Sequence, residues 1–170
     1  MALTLAEGLV NAVVDYIEDN IAVKLAALDQ EYDDGIALLE PVGTLKGLKS
    51  LKAVQDYPVL FVLSPGQAVR PWAVSGTQAQ IESKPQVIAG ILALDADQEK
   101  LQVRLYRYGR ALVELMLDAL GGASLSGWNL GTDEEWQVET ETSQVGTQAE
   151  QSEAIGEVSL SMRANKIETK

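Results

Sequence analysis

Three arginines spaced by three, Arg104, Arg107 and Arg110, are the first residues in this chain with a spacing that could act on something. On a helix that spacing gathers them on one side, and each guanidinium carries a fork of donors suited to carboxylates. They form a candidate strip for docking an acidic surface, such as the Glu-rich segment of a neighbouring copy. The plainer alternative is an exposed face with modest pairing four residues apart, Arg110 to Glu114. Carboxylates gather twice. Glu31, Asp33 and Asp34 offer oxygens of the kind a hard cation wants, but the spacing is not that of an EF-hand and no bidentate Glu follows. They read as a solvated loop, and no metal is assigned. Glu139 and Glu141 are candidate interface residues within a run, Gly131 to Glu157, that holds eight acids and no base. Trp72, next to Pro71, is expected in a loop between strands. There it is either an aromatic anchor at an interface or a lid folded back over the sheet edge.

What the chain lacks narrows the chemistry further. It contains no cysteine and no histidine, which removes thiolate metal sites, Cys nucleophiles and every Ser-His or Cys-His dyad. Carboxylate catalysis needs two acids converging on a pocket with separated pKa values, and no such pair is assigned. Walker, GxGxxG and GxSxG motifs are missing. No catalytic residue and no cofactor is therefore expected, and the chain reads as something other than an enzyme. A net charge of −12 opposes specific nucleic-acid binding, which needs a basic footprint, yet it would let DNA pass without sticking. Apolar runs such as Val59 to Leu63 are far shorter than the roughly 20 residues of a membrane helix. No secretory signal is read at the N-terminus, so the expectation is assembly in cytoplasm without a membrane.

The elements that must position these residues form an α+β pattern, read as one domain over 1–170. Thr4 and Glu7 make a capping box for a first helix carrying Leu5, Leu9, Ala12, Val13, Tyr16 and Ile17. Ile21, Leu25 and Leu28 continue the pattern past a possible break at Asp19-Asn20, ending by Glu31 before Asp33-Asp34-Gly35. Ile36 to Glu40 reads as a short strand, and Leu45, Leu48 and Leu51 as amphipathic turns alternating with Lys46, Lys49 and Lys52. Tyr57 to Leu63 is a strand closed by Ser64-Pro65-Gly66. Thr77 to Ser83 and Gln86 to Leu94 are two more, completing a small antiparallel sheet. A long amphipathic helix packs on it. Asp95 is its N-cap, Leu101, Leu105, Tyr108, Leu112, Leu115 and Ala119 its apolar stripe, and Gly121-Gly122 its stop. Trp136 to Thr142 and Val158 to Met162 alternate as a C-terminal β-hairpin with a flexible tip near 143–154. The C-terminus is expected to fray near 165–170.

Two stretches carry a family likeness. They are Asp56-Tyr57-Pro58-Val59-Leu60-Phe61-Val62-Leu63-Ser64-Pro65-Gly66, and Asp95-Ala96-Asp97-Gln98-Glu99 followed by Leu105-Tyr106-Arg107-Tyr108-Gly109-Arg110-Ala111-Leu112. With the order of elements over roughly Leu3 to Ala164, they resemble the tail-terminator and neck proteins of tailed phages. The resemblance implies a structural virion protein that forms a ring, commonly a hexamer, at the head-proximal end of a tail. Such a ring terminates the tail tube and docks to the head connector, with tube and sheath proteins as partners. A head-tail connector, a neck completion protein or a non-virion tail-assembly adaptor is the alternative. The resemblance carries no catalytic residues over.

Overall fold

A computed structural model describes residues 6–46, 54, 56–75, 78–120, 125–131, 135–145 and 153–169. Two helices cover one face of a six-stranded mixed sheet. Helix α1 spans Ala6–Tyr32 and runs unbroken through Asp19-Asn20. The Asn20 side chain donates to the Tyr16 carbonyl one turn back at 2.8 Å, while Ile17 and Ile21 on either side are buried. Burial keeps the helix going where local propensity alone predicts a break. It stops at Asp33, which adopts a positive φ of 41° and donates its amide to the Asp29 carbonyl, a common way to close a helix. The Thr4 cap lies outside the described residues.

The main strands are longer than their punctuation implies. After β1 (Thr44–Lys46), β2 spans Val59–Ser75 and β3 spans Gln78–Asp95. The β2–β3 register shifts by one residue between Leu63 and Gly66 and again between Pro71 and Ala73. Ser64-Pro65-Gly66 is therefore a bulge rather than a stop, as expected for Pro and Gly inside a strand. Pro85 likewise does not split β3. Its ladder to β6 skips Lys84 and Pro85, where a proline has no N–H to give, while Pro85 keeps its place opposite Gln67. Ile36 to Glu40 forms no strand. Of the 45–52 stretch, Leu45 and Lys46 belong to β1, and the rest lies outside the described residues.

Helix α2 (Gln98–Asp118) leads to β4 (Asn129–Leu130), β5 (Gln137–Val145) and β6 (Glu153–Thr169). Its N-cap is Asp97 rather than Asp95, with the carboxylate accepting from the Glu99 and Lys100 amides. Asp95 is the last residue of β3. Gly121-Gly122 lies outside the described residues. The sheet order is β1-β2-β3-β6-β4, with β5 also paired to β6. Among the described strands only β1–β2 is parallel, so the sheet is mixed rather than the small antiparallel one expected. The last strand of the chain is an interior one, bounded by β3 on one side and by β5 and β4 on the other. Pairing reaches Val145–Glu153 at one end and Thr169 at the other. Residues 165–169, where fraying is expected, belong to strand β6, and residues 146–152 and 170 lie outside the described set.

Alternation then decides the layers. Leu60, Val62, Val87, Ala89, Ile91, Val158, Leu160 and Met162 point to the helices and share one core with Leu9, Ile17, Leu25 and the whole α2 stripe. Phe61, Leu63 and Leu92 point to the opposite face, where Leu45, Val54 and Tyr57 cover them. Two glycines allow close approach. At Gly90 a Cβ would overlap the Phe61 ring and the Val158 carbonyl, and at Gly156 it would sit 2.5 Å from Leu105 Cδ1.

Leu112→Ala, in the middle of the stripe, is expected to cost about 2–5 kcal/mol in urea unfolding. Gly90→Ala should cost about 1–3 kcal/mol through overpacking. Gly66→Ala, with nothing within 4 Å of its Cβ, should be close to neutral in the same assay.

Candidate functional site

The three arginines do not form an exposed strip. Arg107 is 5% exposed, and all three turn toward the end of α1 and the segment that follows it. Arg104 donates Nε to the Ala37 carbonyl at 3.0 Å and pairs with Asp95. Arg107 forks onto Asp34, donates to the Ile36 carbonyl at 3.0 Å and lies 4.1 Å from the Tyr32 ring centroid. Arg110 grips Glu31 with both terminal nitrogens at 2.7 and 2.8 Å and reaches Glu114 through Nε at 2.7 Å. The helix pair expected from the sequence, Arg110 with Glu114, is present inside this larger network.

The network explains why residues 36–40 are not a strand. Their backbone groups are satisfied by side chains instead. Asp29 accepts from the Leu38 amide, and the buried Tyr108 hydroxyl donates to the Leu39 carbonyl while accepting from the Leu39 amide. Burial pushes the Tyr108 hydroxyl up to about 12, against a smaller lowering by the Leu39 hydrogen bond. The Asp34 carboxyl, hydrogen-bonded by Arg107 and by the Ile36 amide, is held at about 2 instead of 3.8. Of the acidic cluster, Glu31 and Asp34 are thus structural partners of α2, while Asp33 is exposed. Among the described residues no group of three or more acids is arranged to hold a metal ion.

Trp72 lies inside β2, at the second bulge, rather than in a loop; its side chain is outside the described residues. Glu139 and Glu141 occupy β5 on the sheet face away from the helices, and both are exposed. The pairing register brings a third acid to them that was not singled out in the sequence. Glu157 on β6 stands directly opposite Glu141, with Glu139 opposite its neighbour on that face, Ser159. Glu157 is half-buried, and its carboxyl is raised by that burial and then by the charges of Glu141 and Glu139. Its membership in the acidic run was visible, but the partner depends on a register across a long connection. The arginines sit on α2, on the other side of the sheet, so the structure does not join the two sets.

A raised pKa among carboxylates can mark a general acid. Here the two flanking groups stand in solvent on an open sheet face. What the arrangement does supply is a concentrated negative field along one edge of the sheet.

No family model and no curated protein matches the chain. No helix among the described residues is long and apolar enough to cross a membrane.

The signs of the two carboxyl shifts give opposite pH behaviour. Asp34 is lowered, so its stabilisation is complete above about pH 4 and is lost as the pH falls toward 2. Wild type should therefore lose stability more steeply through that window than Asp34→Asn in acid denaturation followed by circular dichroism. Glu157 is raised, so its ionised form is penalised at neutral pH and relieved on acidification. Glu157→Gln should raise the melting temperature at pH 7, and the gain should shrink as the pH drops into the carboxylate range.

Proposed function

We propose that this chain is a structural subunit of a phage tail, forming a homo-oligomeric ring at its head-proximal end, where it terminates the tube and meets the neck. The observation that carries the assembly half of this reading is a sheet whose outer strands, β1 at one side and β5 with β4 at the other, have no further partner among the described residues. Unpaired edges are templates for another chain, and identical subunits that use two different surfaces close into rings when the rotation permits. The phage half rests on the likeness of the Asp56–Gly66 and Asp95–Leu112 stretches to tail-terminator and neck proteins. The best-formed polar network, the arginine clamp, is spent on holding the subunit together. That is consistent with a building block whose work is done by its surface.

In such a ring the acidic face would suit a channel that DNA traverses without adhering, since like charge repels the phosphate backbone. The competing adaptor reading differs in a simple way, because an assembly factor that leaves before maturation has no need of a stable ring.

Native mass spectrometry of the full chain is the direct test. A closed oligomer, six subunits if the likeness holds in detail, is the expected result. A persistent monomer at the highest soluble concentration would refute the ring and favour the adaptor.

A further inference from the structure

We propose that an exposed apolar stripe on α2 is a contact between two copies of this chain, the helix of one lying antiparallel against the helix of the other. This goes beyond the ring reading and does not depend on it. The core stripe of α2 occupies one side of the helix. On the other side, Tyr106, Val113 and Leu117 fall within a sector of about 40°. Leu120 extends the stripe in the turn that follows, its amide still bonded to the Leu117 carbonyl. Val138 of β5 adjoins it, since a Cβ at Gly109, one turn from Tyr106 and from Val113, would meet the Val138 Cγ1 at 3.3 Å. Tyr106 is 62% exposed, Leu117 49%, Leu120 39% and Val138 48%, while Val113 is half-buried. Scattered exposed hydrophobes are ordinary. Here they gather into roughly 350 Å² of apolar surface, the scale at which a patch marks a contact.

Area and charge select a second copy as the occupant. With about two-thirds of its core apolar, an interface built on this patch covers roughly 1,100 Å² over both copies, just above the roughly 1,000 Å² that a specific contact needs. That suits a reversible pair rather than a permanent one. A chain of net charge −12 repels its own copy over most of its surface, but this side is where its cations are concentrated. Arg110 flanks the stripe already tied to Glu31 and Glu114, and Lys24 holds Glu114 and Asp118. Covering the stripe therefore leaves no new charge to be matched.

The order of residues along the stripe sets the direction. In an antiparallel crossing Tyr106 of one helix comes level with Leu117 of the other, so each ring lies on an aliphatic side chain. Lys100 and Asp118, both exposed, are about five turns apart and so on one side of the helix. Antiparallel packing brings each toward the opposite charge of the partner, where parallel packing sets like on like. The contact is isologous, the same patch serving on both copies. Packing helix to helix also leaves both sheets outermost, with Glu139, Glu141 and Glu157 on the far face of each subunit.

The test uses the full chain in analytical ultracentrifugation over a range of concentrations. Wild type should associate reversibly into pairs, of two subunits or of two rings. Tyr106→Glu and Leu117→Glu, both at exposed sites, should each weaken that association at least roughly tenfold. The chain has no cysteine of its own, so single introduced thiols read the direction. Under mild oxidation Tyr106→Cys mixed with Leu117→Cys should cross-link to each other at least roughly tenfold faster than either does to itself. Wild type that never pairs, Glu variants that pair as well as wild type, or cross-linking without that preference would each overturn the contact. Rings that form but never pair would overturn it while the ring reading stands, and pairs without any ring would do the reverse. Should a Glu variant fail to fold, the thiol cross-linking decides the matter.

Discussion

The antiparallel pairing of β3 with β6 is the contact on which the rest of the molecule depends. β6 is the last strand in the chain, yet it lies inside the sheet and pairs along its length with β3, β5 and β4. Its inward side chains, Val158, Leu160, Met162 and Ala164, complete the floor beneath α2. Without them α2 has an apolar stripe and half a surface to bury it on. α1 and the β2–β3 pair need only local closure, but the sheet becomes continuous only when the C-terminal residues arrive. Loop-closure entropy grows slowly with length, so the delay bears on how fast the chain folds more than on how stable it becomes.

Once β6 is in place, the distribution of positive charge determines the character of the surface. The chain has 13 basic residues against 25 acids, and the three arginines of α2 are committed to Asp95, Asp34, Glu31 and Glu114. Lys24 adds a further tie between the helices, to Glu114 and Asp118. These pairs lie where α1 meets α2, so the acids nearby are neutralised. Among the described residues no ion pair reaches Glu139, Glu141 or Glu157. The negative edge is as much a result of where the cations are used as of where the carboxylates lie.

This division also separates what was legible in the sequence from what was not. The α2 stripe could be read residue by residue because a single period describes both the helix and its burial. The alternation of Val158, Leu160 and Met162 was equally plain. Pro65-Gly66 and Lys84-Pro85 misled, since local rules read them as strand ends, whereas the sheet takes them in as a bulge and as a gap in one ladder. Residues 36–40 misled for a different reason: their hydrogen-bond partners, Arg104, Arg107 and Tyr108, lie some 70 residues away in the chain, and no local pattern points to them. The same distance hid the role of the arginines, whose spacing announced a common face without saying what that face met. Glu139 and Glu141 were found because composition marks them. Glu157 was missed because its significance is a register, and the connection between β5 and β6 is too long for turn chemistry to set one.

The cross-strand pair Glu141–Glu157 is a cost the fold accepts. Like charges directly opposite in an antiparallel ladder weaken it, and here they add to the burial that is the larger cause of the raised Glu157 carboxyl. A neutral residue at any of the three positions would relieve it without disturbing the core, because Glu139 and Glu141 touch solvent and Glu157 is half-buried on the face away from the helices. An exposed nine-residue edge without charge of its own would be free to pair with its own copy, or to stack without limit. Glutamates on one face of that strand disfavour the symmetric pairing, since like charges would then stand opposite one another. On this view the contact that weakens the ladder within the subunit also discourages its edge from pairing with an identical copy.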